Sequence, residues 1–163
     1  MLVGVLADTH DNLPMIRRAT ALLQARGVQV LLHAGDYVSP FALRLLMQAG
    51  IPLIGVFGNN DGERRGLRSV TAEIFKGPHR FELGGRSIVM AHDSGALGRA
   101  ALEADLAIWG HTHKVEVSPG PPLSVNPGEA GGWLSGRATG AIVDLEKLTA
   151  EIVEFGEQEG PTT

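Results

Sequence analysis

Five short apolar runs in this chain each break off into side chains that bind metal ions, and this pattern limits the possible folds more than any other feature. Leu2 to Leu6 runs into Asp8-Thr9-His10-Asp11-Asn12, Val28 to Ala34 into Gly35-Asp36, and Pro52 to Phe57 into Gly58-Asn59-Asn60-Asp61-Gly62. Ser87 to Ala91 runs into His92-Asp93-Ser94-Gly95, and Leu106 to Trp109 into Gly110-His111-Thr112-His113. Runs this short and apolar read as strands buried on both faces, as in a mostly parallel sheet. Ligands spread over five strand ends meet only when the strands lie side by side. The crevice past the carboxyl ends of such strands is where open α/β sheets bind ligands.

The segments between the runs agree. Pro14 to Arg26 sets Ile16, Ala19, Leu22 and Leu23 on one helical stripe closed by Gly27. Ser39-Pro40 caps a second helix that reaches Gln48, with Leu43, Leu46 and Met47 inward and Gly50 as its stop. This β-α-β-α-β order predicts right-handed crossovers and helices on the faces of a sheet. Farther on, Ala72 to Phe75 and Arg80 to Leu83 read as short strands, and Gly84-Gly85 as a hairpin turn. Leu97 to Ala104 reads as a short helix. Val115 to Val117 and Leu123 to Val125 alternate around a Pro-rich turn, and Ala138 to Leu145 with Leu148 to Phe155 reads as a closing hairpin. The expectation is one domain over residues 1–155 and a flexible tail over 156–163.

Composition narrows the chemistry. With no cysteine in 163 residues, any metal is held by nitrogen and oxygen ligands. The 44% hydrophobic and 20% charged residues are those of a soluble protein, no apolar run approaches the roughly 20 residues of a membrane span, and the start has no basic leader. A cytoplasmic location is expected. A net charge of −4 argues against a surface for long nucleic acids.

Taken singly, each polar cluster has an ordinary reading. Asp11 or Asn12 before Pro14 is a helix cap, and Gly35-Asp36 and Asn59 to Gly62 are turns. His33 inside a strand and His79 in a loop read as structural histidines. Two imidazoles straddling Thr112 after a buried strand, however, serve little packing purpose. The conjunction of Asp8, His10, Asp36, Asn59, His92, His111 and His113 suits two divalent ions roughly 3.5–4 Å apart, with one carboxylate as a bridge.

These blocks resemble the five signature motifs of the calcineurin-like metallophosphoesterase superfamily, from Leu2 to about Phe155. Within it the chain is similar to small single-domain archaeal and bacterial phosphodiesterases, some of which share the strings at Gly58 to Glu63 and Asn126 to Glu129. The resemblance implies an α/β fold, a four-layer α/β/β/α sandwich with two mixed sheets. It implies one metal on Asp8, His10, Asp36 and His113 and a second on Asp36, Asn59, His92 and His111. Manganese is the first expectation, with nickel, iron, cobalt and zinc as alternatives. The implied activity is phosphoester hydrolysis, in the first place of a small phosphodiester, by a metal-bridging hydroxide. A homodimer or larger homo-oligomer is also implied. A non-catalytic scaffold of the same fold and a small nuclease are the rival readings.

Two positions depart from the superfamily pattern. Many members carry a His after the metal-binding Asn, where it helps protonate the leaving group; here Asn60 stands there, a hydrogen-bond donor that is no acid near neutral pH. Protonation would then fall to water or to Asp61, so Asp36, Asn60 and Asp61 form the expected catalytic set. The block at His92 continues Asp93-Ser94 where Gly-His is usual. Arg64, with Asn60, is a candidate substrate contact alongside Arg65 and Arg68, and Trp133 reads as a core or oligomer contact rather than a platform for a base.

Overall fold

Along β1 (Leu2–Leu6) successive side chains point to opposite faces, and both faces are covered: Val3 and Val5 on one side, Leu6 on the other. This doubly buried strand lies near the middle of the first of two sheets in the computed structural model, which describes residues 1–156. In that sheet β1, β2 (Val30–His33), β3 (Leu53–Val56) and β4 (Ile74–Phe75) run parallel, and β10 (Thr139–Asp144) and β11 (Thr149–Glu154) complete the other side antiparallel. The second sheet has β6 (Arg86–Met90), β7 (Leu106–Ile108) and β9 (Leu123–Pro127) parallel, between antiparallel edges β5 (His79–Leu83) and β8 (Val115–Ser118).

The sheets pack face to face through Val3, Val5 and Leu32 from the first and Ile88, Met90, Ile108 and Val125 from the second. Outside the first sheet lie α1 (Leu13–Ala25), α2 (Pro40–Gln48) and α3 (Arg64–Val70), seated through Ile16, Leu23, Leu43, Leu46 and Leu67. Outside the second lie α4 (Ser94–Leu97) and a 3-10 turn over Gly98–Glu103, with Leu97 against Val89, Ala91 and Ala107. The four layers are therefore α/β/β/α, as expected. Each fully buried Leu or Ile contributes about 1.5–3 kcal/mol, which makes the strand interiors a rigid base for the loops at their ends.

The helix starts follow their caps. Asn12 Oδ1 accepts from the Met15 N–H and Ser39 Oγ from the Ala42 N–H, each with a proline in the first helical turn.

Four local expectations need correction. Helix α3 was not anticipated, because of its seven residues only Leu67 is buried and Gly66 interrupts the pattern. His79 is in β5, not a loop, its ring stacked between Phe75 and Phe81. The helix expected over Leu97 to Ala104 is α4 followed by 3-10 turns, broken at Gly98, whose φ is 51°. Trp133 is 58% exposed, so it is no core residue. Apart from Gly156, the expected C-terminal tail lies outside the described residues.

Candidate metal centre

The parallel strands β1, β2 and β3 of one sheet and β6 and β7 of the other deliver their carboxyl ends to one edge of the sandwich. There the buried polar residues collect. Asp8, Thr9, His33, Asp36, Asp61, Asn126 and Glu129 are each 1% exposed or less. Burying so many polar groups costs several kcal/mol unless they are paired, and most are paired to the backbone of neighbouring loops.

Asp8 Oδ2 accepts from the His111 N–H at 2.9 Å, which ties β1 of one sheet to the loop after β7 of the other. Asp61 is turned inward: its oxygens accept from the N–H groups of Asp36, Val38 and Gly58 at 2.7–3.0 Å. Burial raises the pKa of this carboxyl above its ordinary value, against the lowering effect of the three amides. Its oxygens thus brace the Asp36 and Asn59 loops. Asp11 likewise accepts from Ser39 N and Oγ and serves the start of α2. Glycine is required where these loops touch: a Cβ on Gly58 would stand 2.0 Å from Asp36 Oδ1, and one on Gly110 2.8 Å from Asp8 Oδ2.

All seven residues expected as ligands meet here. His10 Nε2 and His113 Nε2 are 3.4 Å apart, with Asp8 Oδ1 at 3.7 and 3.5 Å from them. Asn59 Oδ1 lies 2.8 Å from His92 Nε2 and 3.0 Å from His111 Nδ1. Between the groups stands Asp36, whose Oδ2 is 3.7 Å from His10 Nε2 and 3.3 Å from His92 Nε2. Asn60 donates to Asp36 twice, from its backbone N–H to Oδ1 and from its amide to Oδ2.

The donor set fits divalent cations. Asp8 Oδ1 is buried without a hydrogen-bond partner and points at two imidazole nitrogens, an expensive arrangement unless a cation lies between them. Asp8 with His10 and His113, and Asp8 with Asp36 and His92, are each close enough to hold an ion. Charge tells the same story. Bonding to Asp8 raises the His10 pKa in spite of burial, and Asp36 raises that of His92, again against burial. Burial pushes Asp36 up, but the bonds from His92 and Asn60 outweigh it and hold this carboxylate well below the usual range.

Backbone strain concentrates at the same place. Asp8, His10, Asp36, His111 and His113 all have φ between 42° and 70°, and the β-branched Val38 has 76°. Asp and His tolerate this region better than most residues, yet so many together mark a site where surrounding structure enforces geometry.

Some supporting residues escaped sequence reasoning. Glu129, fully buried, accepts from the N–H groups of Trp133, Leu134 and Ser135 and from Ser135 Oγ, with His113 Nδ1 3.6 Å away. Burial raises its pKa, but the bonds from Ser135 and Leu134 and the nearby His113 bring it below its ordinary value. Asn126 donates to Gly110 O and Thr112 Oγ1 and so holds the histidine loop. Both stand in the Asn-Pro-Gly-Glu string that begins in the last two residues of β9, the only signal available. His33 is structural, as expected: its Nδ1 accepts from the Gly35 N–H, its Nε2 faces Thr9 Oγ1, and its ring stacks on Tyr37. Burial lowers its pKa to about 3, so it is neutral.

Besides a cavity of about 350 Å³ lined by His111, His113 and Lys114, two others open on the cluster. One, of about 390 Å³, lies over His10, Asp36, Asn60 and His113 and is walled by Trp133 and Leu134. The Trp133 indole N–H donates to His10 O, which fixes this wall. The other, of about 270 Å³, lies over Asn59, His92 and His111 and holds Arg64, Lys76 and Asp93.

Comparison with known proteins places this geometry. The calcineurin-like phosphoesterase superfamily domain matches residues 1–148. A phosphodiesterase from Methanocaldococcus jannaschii is 34% identical over 157 residues, spanning 90% of this chain and 95% of its own. The solved structure of an archaeal phosphodiesterase superposes with a TM-score of 0.85 at 31% identity, over 94% of this chain and 99% of its own. Vacuolar protein sorting 29 from Cryptosporidium parvum shares the fold, with a TM-score of 0.66 at 20% identity over 94% and 95% of the two chains.

Proposed function

Because the chain belongs to the calcineurin-like phosphoesterase superfamily, we propose that it is a metal-dependent phosphodiesterase working through a dinuclear centre. The observation that carries the proposal is Asp36 Oδ2, set within 3.7 Å of His10 Nε2 and 3.3 Å of His92 Nε2. Two neighbouring cations would repel unless an anion lay between them, and this carboxylate would be placed to supply it. One ion falls to Asp8, His10, Asp36 and His113, the other to Asp36, Asn59, His92 and His111. Manganese is our first choice, since imidazole, amide and carboxylate suit it and several other divalent metals.

Bound there, the ions supply Lewis acidity and a water ionised near neutral pH for in-line attack on phosphorus. The chain's part is positioning and charge. His92 Nδ1, 2.8 Å from Ala34 O, donates there, which turns Nε2 toward the centre. Asn60, at the mouth, donates from its amide to Asp36 Oδ2, and that amide would be placed to donate to a phosphate oxygen. Asp61 acts as a positioning residue, because both its oxygens are committed to backbone N–H groups. The substrate is a small phosphodiester, in keeping with the Methanocaldococcus relative.

The test compares an aryl phosphodiester with an aryl phosphomonoester, using protein stripped of metal and then given Mn²⁺, Ni²⁺, Zn²⁺ or Mg²⁺. The expected result is metal-dependent cleavage, faster for the diester, lost in both Asp36→Ala and His111→Ala. Folded protein that turns over neither substrate with any metal would leave the scaffold reading in its place.

A further inference from the structure

We propose that Glu129 is a positioning residue that couples two parts of the site: the Asp8, His10 and His113 ligands, and the Trp133–Leu134 wall of the larger cavity. Through it the apolar wall is held firmly only when an ion occupies those ligands. The inference rests on the metal-dependent reading above and goes beyond it, because neither Glu129 nor the wall belongs to the ligand set.

The wall is a short loop with little burial to hold it. Trp133 and Leu134 are 58% and 81% exposed, so apolar contact supplies only part of what these side chains gain when covered. Polar bonds hold the loop instead, and they lead back to two imidazole ligands of one ion. On one side the Trp133 indole N–H donates to His10 O at 3.0 Å. On the other, the Glu129 carboxylate gathers three consecutive backbone N–H groups. Its Oε1 accepts from Trp133 at 2.8 Å and from Leu134 at 3.1 Å, and its Oε2 from Leu134 at 3.1 Å and Ser135 at 2.9 Å. Ser135 Oγ donates to Oε2 as well, at 2.8 Å. The residues leading into the wall lie on the same support, with the Ala130 and Gly131 N–H groups donating to Ala7 O and Asp8 O.

Glu129 has one further neighbour. His113 Nδ1 stands 3.6 Å from Oε1, the oxygen that also holds the Trp133 N–H, and it is buried without a hydrogen-bond partner. The other ring nitrogen, Nε2, faces Asp8 Oδ1 and His10 Nε2, so it is the ligating atom. A cation on Nε2 draws electron density from the ring and makes Nδ1–H a stronger donor, for which a carboxylate is a usual partner. Glu129 is fully buried, and a buried charge is stabilised by each donor added to it. Closing the 3.6 Å gap fixes Oε1 from the His113 side and makes it a firmer anchor for the wall. Ion binding and wall order are then linked, and such a link acts equally in both directions.

The test follows Trp133 itself, in a Trp109→Phe background where it is the one tryptophan left. Metal-stripped protein is titrated with Zn²⁺, a filled-shell ion without redox chemistry. Acrylamide quenching of Trp133 emission is read alongside calorimetric binding. The expected result is a fall of about twofold in the quenching constant as Zn²⁺ binds and the wall stiffens. Glu129→Gln should bind one ion about 10–100-fold more weakly, and at saturation its quenching constant should not fall. Ser135→Ala leaves His113 and the carboxylate in place but loosens the wall, so by reciprocity its affinity for one ion should drop about fivefold. Zn²⁺ binding that leaves Trp133 unmoved in the parent protein would overturn the coupling, as would a response that Glu129→Gln retains at saturation. An unchanged affinity in Ser135→Ala would do the same, whether or not Glu129→Gln folds. In each of these cases the metal centre itself still stands, whereas no bound Zn²⁺ in the parent protein would remove both.

Discussion

The two halves of the candidate centre are built differently. Asp8, His10 and His113 are held from behind: Asp8 bonds the His111 backbone, Glu129 stands 3.6 Å from His113 Nδ1, and the Trp133 indole bonds the His10 carbonyl. Asn59, His92 and His111 have less support. Only His92 of these three is buried, and it is anchored by one bond to Ala34 O, whereas Asn59 and His111 are exposed at the mouth of a cavity lined by cations. Asp36 stands between the halves, its Oδ2 3.7 Å from His10 Nε2 and 3.3 Å from His92 Nε2. The difference suggests a division of labour, in which the braced half holds its ion firmly and the open half also meets the substrate.

The severest way to break the comparison is to remove what the halves share. Asp36→Ala should lower phosphodiesterase activity on the order of 10³-fold or more, since bridged cations supply several kcal/mol of transition-state stabilisation. Activity within tenfold of wild type would refute the bridge. A more selective probe is Glu129→Gln. Substitutions behind a metal ligand typically cost about 10–100-fold in metal affinity, and calorimetric titration should show that loss for one ion only. An equal loss for both ions would show that the halves are not independently supported.

His33 lies beneath both halves, bonded to the Gly35 N–H and facing Thr9, and it makes stability depend on pH. Its folded pKa is about 3 against an ordinary 6.5, so below pH 6.5 the unfolded chain takes up a proton that the folded one refuses. Its contribution is fully present above pH 6.5 and falls by up to about 1.4 kcal/mol per pH unit down to about pH 3. Urea unfolding of metal-free wild type and His33→Gln should therefore show a stability gap that narrows as pH drops from 7 to 5. A constant gap would contradict the buried neutral imidazole. The smallest effect is expected from Trp133→Ala, which removes one bond and one apolar wall. A rise in KM of about fivefold, near 1 kcal/mol, is expected for an aryl diester, with kcat little changed. A fall in kcat at constant KM would place Trp133 in the chemistry rather than in binding.

The same contrast explains what could be read from the amino-acid order. The strand ends were legible because each change from an apolar run to Asp, Asn or His is local, and the parallel arrangement then brings the ends together without further information. The caps at Asn12 and Ser39 were legible for the same reason. Helix α3 was not, since one buried leucine in seven residues leaves no periodicity to find. Glu129 and Asp61 were hidden differently. Their partners are backbone N–H groups of loops whose approach only the folded chain reveals: Asp61, expected as a proton donor, has both oxygens bonded to the N–H groups of Asp36, Val38 and Gly58. Of the two readings of Trp133, the core contact failed because a large aromatic is usually buried, whereas here its indole N–H is bonded to His10 O at the rim of a cavity.

The central claim, two differently supported half-sites sharing one carboxylate, is tested most directly by counting ions. Metal-stripped wild type, His113→Ala, His111→Ala and Asp36→Ala should be titrated with Mn²⁺ by calorimetry, and the bound metal measured after dialysis. The account predicts two ions per wild-type chain, as a dinuclear site requires. It predicts one tight ion in His111→Ala, one weaker ion in His113→Ala, and none held tightly in Asp36→Ala. A single ion in wild type, or two undiminished ions in both histidine variants, would contradict it.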